Sequence, residues 1–195
     1  PKGDSTVNIR SFLTLAIISL LLVPASSLSA EIKAPKGFTS LFNGKDLSNW
    51  YGWSTKNPEE LWKLSTEEQK AYKDESRKDI NEHWSIDGHV IVNDGHGLYL
   101  TTEKEFSDYE LLIDYKTVAK ADSGIYLKGV PQVQIWDYTD PDKFGIGGDK
   151  GSGGLWNNSK GAKGKDPLVL ADNKLGEWNS FRIRQVGARP TVWLN

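Results

Sequence analysis

Two stretches of the chain place carboxylates, amides, a lysine and aromatic rings at the spacing of β-strands. Residues 121–137 read ADSGIYLKGVPQVQIWD, and residues 151–158 read GSGGLWNN. Side chains of a strand point alternately to its two faces, so the first stretch predicts two strands joined by a Gly-Val-Pro turn, each with one apolar face. The opposite face carries these polar and aromatic groups: Tyr126, Lys128, Gln132, Gln134 and Trp136.

This polar face predicts a groove that binds a sugar. Aromatic rings cover the apolar side of a pyranose, while amides and charged groups bind its hydroxyls. The competing interpretation is an ordinary sheet surface that faces solvent. A histidine in a glycine-flanked loop before Tyr99 joins the candidates. The predicted sugar-binding residues are Tyr126, Gln132, Trp136, Trp156, Asn157 and His96.

Three carboxylates are placed for acid and base chemistry on such a sugar. Glu110 lies on the non-core side of a predicted strand, Asp122 begins the first strand of the hairpin, and Asp137 ends the second. The hairpin brings Asp122 and Asp137 to the same end of the sheet, where paired carboxylates suit general acid and base catalysis. Carboxylates also commonly end strands, so the spacing alone supports both interpretations.

A calcium site is the one metal site that the residue types suggest. Residues 137–142, DYTDPD, and Asp149 offer the oxygen ligands that Ca²⁺ prefers, but their spacing does not match an EF-hand loop. Asp beside Pro is also typical of turns. The glycine-rich residues 145–154 lack the Gly-Lys-Ser/Thr ending of a phosphate-binding loop. The sequence therefore predicts no metal site and no cofactor, with Ca²⁺ as the divalent cation to test.

The elements that must position these residues are predicted to be mostly strands. Short apolar runs separated by turn signals recur from His83 onward, which is typical of a jelly roll or β-sandwich. Residues 58–80 are different, because they are highly charged, begin with proline and contain a capping-box pattern at 65–68. We therefore predict an all-β fold with a short helical insertion, either a solvated surface or a lid over the groove. The tryptophans predicted to lie in the core are Trp84, Trp178 and Trp193.

Residues 1–30 resemble a secretory signal peptide. Lys2 and Arg10 precede the apolar run FLTLAIISLLLV, which is followed by Pro24 and the small residues ASSLSA. This run is too short to span a bilayer comfortably. We predict export to the periplasm or the cell exterior, with no membrane contact after cleavage. A linker at 31–37 and a jelly-roll domain at 38–195, truncated before its last strands, complete the predicted organisation.

The composition limits the partners of the chain. It has 24 Lys and Arg against 26 Asp and Glu, a formal net charge of −2, which gives no indication of nucleic acid or an anionic membrane as partner. The absence of cysteine excludes disulfides, a thiol nucleophile and thiolate-bound metals. The sequence gives no indication of an oligomeric state.

Several motifs, taken in order, resemble the 3-keto-disaccharide hydrolase family. They are GFTSLFNGKDLSNW, HWSIDGHVIV, GLYLTTEKEFSDYELLIDYK, ADSGIYLKG, PQVQIWD, GSGGLWNN and GEWNSFRIRQVGARPTVWLN. The resemblance covers residues from about 37 to 195 and implies a concanavalin A-like jelly roll that acts on an oxidised, 3-keto sugar. Many members carry arginine in place of Lys128 and glutamate near Gln134. Lysine lacks the bidentate fork of arginine, and an amide cannot act as a base.

The resemblance also implies a mechanism for hydrolysis of a 3-keto-glycoside. The C2 proton is abstracted, the C1 aglycone is eliminated and water is added. The alternatives are a non-catalytic carbohydrate-binding module on the same groove and a structural module of an exported assembly. The implied roles are Asp137 or Asp122 as base, Lys128 and Gln134 at the enolate, Tyr126 or Glu110 at the leaving group, and Trp136 and Trp156 in stacking.

Overall fold

The computed structural model describes residues 33–195, which contain nine antiparallel strands, two α-helices and two short 3₁₀ helices. The predicted signal peptide at 1–30 lies outside these residues. The strands are β1 Trp50–Trp53, β2 Trp84–Asp87, β3 Val90–Asn93, β4 Tyr99–Thr102, β5 Tyr109–Lys116, β6 Asp122–Tyr126, β7 Gln132–Trp136, β8 Trp178–Val186 and β9 Arg189–Leu194. The helices are α1 Glu59–Trp62 and α2 Thr66–His83. The predicted all-β fold with a helical insertion is confirmed.

One layer of the fold is a three-stranded sheet in the order β5-β8-β9. Burial alternates strictly along β8, as expected of a strand with one face on the core and the other in water. Phe181 and Ile183 are buried on the inner face, and Ile183 lies opposite Leu111 of β5 and Val192 of β9. The residues between them, among them Arg182, point outward.

The second layer is the β6-β7 hairpin, extended by a stretch of chain along its free edge. Val133 and Ile135 of β7 pack in one core cluster with Phe181 and Ile183. The Gly153 amide donates to the Gln134 carbonyl at 2.9 Å, and the Gln134 amide donates to Gly154 at the same distance. Two layers that share one apolar core are the arrangement of a sandwich, and the predicted jelly-roll fold class is confirmed.

The helical insertion is fixed to β1 by one buried face. Helix α2 begins at a capping box, in which Ser65 accepts a hydrogen bond from the Glu68 amide and the Glu68 side chain accepts one from the Ser65 amide. Ile80 is fully buried, and Ser76 Oγ accepts a hydrogen bond from the Gly52 amide at 3.0 Å. The insertion is therefore an integral, packed element. Within residues 33–195, no helix has the length and apolar character needed to cross a membrane.

The prediction that Trp178 and Trp193 belong to the core is wrong. Their exposed fractions are 46% and 45%, because both occupy outward positions of the β5-β8-β9 sheet. Trp84 is partly buried, and its indole donates to the Leu98 carbonyl at 2.9 Å. The ring that is buried most completely in the hairpin is Trp136, at 4% exposure. A strand pattern identifies which residues share a face, but the packing partner decides which face is inside.

Candidate active site

The outward face of the β6-β7 hairpin carries the predicted polar residues in rows across the two strands. Asp122 lies opposite Trp136, Gly124 opposite Gln134, and Tyr126 opposite Gln132. Residues opposite each other in an antiparallel pair share a face. The structure therefore brings together five of the predicted residues: Asp122, Tyr126, Gln132, Gln134 and Trp136.

Asp122 is the half-exposed carboxylate of this face, and two donors hold it. Lys143 Nζ lies 2.6 Å from its Oδ2 atom, and Gln134 Nε2 donates to its Oδ1 atom at 3.0 Å. The Asp122 side chain remains 44% exposed, whereas Gln134 is buried. The hydrogen bond to Asp122, and then the charge of that carboxylate, raise the pKa of Lys143, so its ammonium stays charged at neutral pH. The Asp122 carboxylate and the Lys143 ammonium thus lie side by side at a solvent-accessible position.

Sequence analysis missed Lys143. It lies in a short 3₁₀ turn, Pro141–Ile146, whose preceding residue Asp140 accepts a hydrogen bond from the Asp142 amide at 3.1 Å. This turn folds back so that Lys143 reaches the start of β6, 21 residues earlier in the chain. The only local signal was the Asp-Pro-Asp turn pattern, which predicts a bend but not that the bend brings Lys143 to Asp122.

Asp137 lies at the end of β7 with its carboxylate fully occupied. The Lys120 amide donates to Oδ2 at 2.7 Å, and Oδ1 accepts from the amide and the hydroxyl of Thr139 at 2.9 and 2.6 Å. Burial alone raises the pKa of Asp137, but the hydrogen bonds from Thr139 and Lys120 outweigh it and keep the pKa below its ordinary value. A buried, saturated and weakly basic carboxylate is poorly suited to abstract a proton.

Aromatic rings and two lysines surround the Asp122 end of the face. The rings of Trp136 and Trp156 meet edge to face with centroids 5.5 Å apart. Lys143 Nζ lies 5.8 Å from the Trp136 centroid, and Lys165 Nζ lies 4.1 Å from that of Trp156. Because Trp136 is buried, the partly exposed Trp156 offers more ring surface to a ligand.

The far end of the face is built around Tyr126 and Gln132. Tyr126 stacks on Tyr99 of β4 with centroids 5.5 Å apart, and burial, followed by this neighbour, raises its pKa. The backbone amide of Gln132 donates to Asn157 Oδ1 at 2.8 Å, so the Asn157 side chain holds this end of β7 in place. The Gln132 side chain lies across Gly124, which has no Cβ to obstruct it.

Three predicted site residues lie elsewhere. Glu110 forms a bidentate ion pair with Arg182 at 2.8 and 3.1 Å on the outward face of the other layer, and this hydrogen bonding lowers its pKa. Lys128 lies in the turn beyond the end of β6, at the opposite end of the hairpin from Asp122, and donates to the Gly187 carbonyl at 3.3 Å. His96 packs beside His83, at the end of α2, with ring centroids 6.1 Å apart.

A charged cavity of about 330 Å³ lies elsewhere, beside α2. Its cations are paired with its carboxylates: Lys73 Nζ lies 2.7 Å from Glu103, and Arg77 Nη1 lies 2.6 Å from Asp74. Lys70 also pairs with Asp74 at 2.5 Å, so each cation and each carboxylate of this cavity already has a partner of opposite charge. We therefore place the candidate site at Asp122, on the chemistry of the residues.

The described part of the chain contains no group of three or more His, Asp or Glu side chains arranged to hold a metal ion. Asp137 and Asp140, two of the predicted Ca²⁺ ligands of residues 137–142 and Asp149, accept hydrogen bonds from nearby backbone amides. The turn chemistry that competed with the metal-site interpretation thus accounts for these two carboxylates.

A protein-family model described as the 3-keto-alpha-glucoside-1,2-lyase-like domain matches residues 37–195. The chain belongs to this family. The predicted resemblance is thereby confirmed over nearly all of the described residues. A search of curated proteins found no match, and a search of solved structures found none. The description of the family points to an enzyme-like activity on a keto sugar as the general type.

Chemistry on a keto sugar requires a group that removes a proton and a group that stabilises the resulting negative charge. A carboxylate near an ammonium can remove an acidic proton while the cation faces the oxygen that gains negative charge. Asp122 and Lys143 form such a pair, and an amide from Gln134 fixes the carboxylate. Aromatic rings lie at both ends of the face, Trp136 and Trp156 near Asp122 and Tyr126 beside Tyr99 at the other.

Proposed function

We propose that the domain removes the aglycone from 3-keto-glucosides, with Asp122 as the general base. The observation that carries this proposal is the half-exposed Asp122 carboxylate between Lys143 and Gln134. Asp137, the other predicted base, is buried and accepts three hydrogen bonds from Lys120 and Thr139, whereas Asp122 accepts two and is half-exposed. The family description, a lyase acting on a keto-glucoside, is in keeping with a reaction that begins by proton removal.

The reaction starts at C2 of the sugar. A carbonyl at C3 makes the C2 proton acidic, because its removal gives an enolate. Asp122 takes this proton, and the electron pair of the C–H bond becomes the enolate, whose oxygen faces the Lys143 ammonium. The enolate then re-forms the carbonyl, the C1–C2 double bond forms, and the C1–O bond breaks with its electron pair on the aglycone oxygen. The overall elimination needs no oxidant or reductant.

Tyr126 is the better of the two predicted proton donors to the leaving aglycone. A tyrosine phenol is protonated at neutral pH, burial raises the pKa of Tyr126 further, and Tyr126 lies on the same face as Asp122. Four residues of strand, about 13 Å between Cα atoms, separate the two, so the phenol has to approach Asp122 along the face to reach the aglycone oxygen next to C2. Glu110 is ionised beside Arg182 in the other layer. Addition of water to the resulting enone would complete hydrolysis.

The test uses 4-nitrophenyl 3-keto-α-glucoside and the same glucoside unoxidised, with nitrophenol release as the readout. The wild-type protein is expected to cleave only the keto substrate, and Asp122→Asn to lower turnover by about 10²- to 10⁴-fold, as for loss of a general base. A loss of less than about tenfold would rule out Asp122 as the base. A parallel series with EDTA tests the Ca²⁺ expectation.

Asp166→Asn is the matched control for this experiment. Asp166 has the same exposed fraction as Asp122, 44%, and pairs with Lys150 at 2.5 Å as Asp122 pairs with Lys143 at 2.6 Å. The control removes an equivalent charge from the same region and is expected to leave turnover within about twofold. Equal losses in both variants would indicate a general electrostatic effect.

A non-catalytic carbohydrate-binding module is the second candidate function. It is favoured by the buried amide of Gln134 beside Asp122 and by the saturation of Asp137, which together leave one available carboxylate at this end of the hairpin. This function predicts no release from either glucoside. It also predicts that the glucosides raise the Tm of the protein, an increase that Trp156→Ala reduces.

A further inference from the structure

The outward face of the β5-β8-β9 sheet exposes two tryptophans that the proposed reaction does not use. Trp178 begins β8, and Trp193 lies opposite Arg182 near the end of β9. Nearly half of each side chain is in contact with solvent. We call this surface the tryptophan face, and it comprises Glu110, Leu112, Lys116, Trp178, Arg182 and Trp193.

A charged side chain packs against each of the two rings. Lys116 Nζ lies 4.7 Å from the Trp178 centroid, and Arg182 Cζ lies 4.8 Å from the Trp193 centroid. Arg182 is itself held by Glu110 through two hydrogen bonds. Each indole therefore has a cation packed near its ring and keeps the rest of its surface open. A ring that already packs against a neighbouring side chain loses less conformational freedom when a ligand stacks on it.

The spacing of the rings suits an extended ligand. Four residues of β8 separate Trp178 from Arg182, which lies opposite Trp193, so the two indoles are about 14 Å apart along the strand direction. Exposed polar groups lie in the row between them, where Ser180 Oγ donates to Asp114 at 2.6 Å. Apolar rings at two points with hydroxyl-binding groups between them fit a short run of sugar units.

A protein partner fits this face less well than a glycan. The buried centre of a protein interface is depleted in charged residues, whereas Lys116, Arg182 and Glu110 lie directly beside the two indoles. A protein partner that excludes water from this face would desolvate the Glu110–Arg182 ion pair, and that desolvation has a large free-energy cost. A glycan contacts the face through stacking and through hydroxyls that replace the lost water contacts.

We propose that the tryptophan face is a second carbohydrate-binding surface, which takes an extended oligosaccharide independently of the Asp122 site. It lies on the outward side of one layer, and the candidate active site lies on the outward side of the other. The proposal does not depend on the elimination reaction. It assigns to the domain the capacity to remain on a glycan while a small keto-glucoside is processed elsewhere.

Calorimetric titration of the full chain with cellohexaose and with maltohexaose tests the proposal. Binding of at least one of them is expected, and Trp178→Ala or Trp193→Ala should weaken it by about tenfold each, the loss of one stacked ring. Both variants are expected to keep the wild-type turnover of 4-nitrophenyl 3-keto-α-glucoside. Failure of both hexasaccharides to bind would overturn the proposal without bearing on the reaction.

Trp62→Ala is the matched control, because Trp62 of α1 is a similarly exposed tryptophan outside the tryptophan face. It should leave the affinity for the hexasaccharide unchanged, and an equal loss in this variant would contradict the assignment. Sedimentation velocity tests whether the tryptophan face is instead an interface between two copies of the chain. If the chain is a dimer that Trp193→Ala dissociates, the face is an interface between two copies and the proposal is wrong.

Discussion

At the scale of single residues, Gly124 leaves the space that the Gln132 side chain occupies on the outward face of the hairpin. A Cβ atom at this position would lie 2.3 Å from Gln132 Nε2 and 2.7 Å from the carbonyl oxygen of Val133. The first clash would displace a predicted sugar-binding amide, and the second would strain the strand pairing itself. Glycine is therefore required here by close packing on the face where the substrate is proposed to bind.

Gly124→Ala is expected to lower the free energy of unfolding by about 1–3 kcal/mol, the usual cost of overpacking. Urea denaturation measures this change. Gly145→Ala is the control, because a Cβ atom there would meet no neighbour within 4 Å, and it should shift the free energy by less than about 0.5 kcal/mol. A neutral Gly124→Ala would show that Gln132 can move away without cost.

The His83–Asp94 pair makes stability dependent on pH. Their side chains lie 3.0 Å apart, and the hydrogen bond raises the pKa of His83 above its ordinary 6.5 and lowers that of Asp94 below 3.8. The His83 contribution is complete below pH 6.5 and is lost as pH rises through the raised pKa. The Asp94 contribution is present above pH 3.8 and is lost as pH falls through the lowered pKa.

The difference in Tm between wild type and Asp94→Asn is therefore expected to be largest at about pH 5.5 and to shrink by pH 9. Thermal unfolding monitored by circular dichroism at both pH values measures it. Asparagine keeps an oxygen that can accept the hydrogen bond from the His96 amide, so the substitution mainly removes charge. A difference that is constant across this range would mean that the pair is not ionised.

At the scale of elements, one buried hydroxyl connects the helical insertion to the sheet. Ser76→Ala is expected to destabilise the protein by about 1–3 kcal/mol, because the Gly52 amide would lose its acceptor in a buried position. Urea denaturation again measures the change, with Ser107→Ala in an exposed loop as the control. Equal stability of the two variants would indicate that water replaces the hydroxyl.

The elements themselves were largely predictable. The alternation in residues 121–137 predicted the β6-β7 hairpin, and the capping-box pattern predicted a helix that the structure begins at Thr66 and ends at His83. Lys143 was not predictable, because its approach to Asp122 depends on the path of a loop with no period. Asp137 does follow the second strand of the hairpin, as predicted. Its three hydrogen-bond donors, which are the Lys120 amide and the amide and hydroxyl of Thr139, were not predictable, because they depend on how the adjacent loops fold.

At the scale of the whole molecule, Phe181 connects the two layers. It is buried, stacks on Tyr115 with centroids 4.9 Å apart and shares the core with Val133 and Ile135, whose strand presents Gln134 and Trp136 on its other side. The core between the layers therefore supports the face on which the candidate active site lies.

Phe181→Ala is expected to lower the free energy of unfolding by about 3–5 kcal/mol, as for other large buried aromatic residues. Phe144→Ala, at an exposed position, is the control for stability and should have little effect. Differential scanning calorimetry of both variants distinguishes them. A small effect at Phe181 would mean that the two layers hold together without this contact.

The two-layer arrangement also explains where the tryptophan predictions were wrong. Strand patterns placed Trp178 and Trp193 inside strands, which is correct, but the inner face of β8 is the one carrying Phe181 and Ile183. The burial of a ring depends on which neighbouring layer it meets, and that partner is distant in sequence.

The backbone contacts of Asp137 affect how sequence comparisons of this family should be interpreted. Its carboxylate ties the amides of Lys120 and Thr139 together at the open end of the hairpin. Purifying selection would therefore retain an aspartate here in active and inactive relatives alike. Under the proposed mechanism, joint variation at Asp122 and Lys143 is the more discriminating marker, and we expect relatives that lack this pair to release no aglycone from a 3-keto-glucoside.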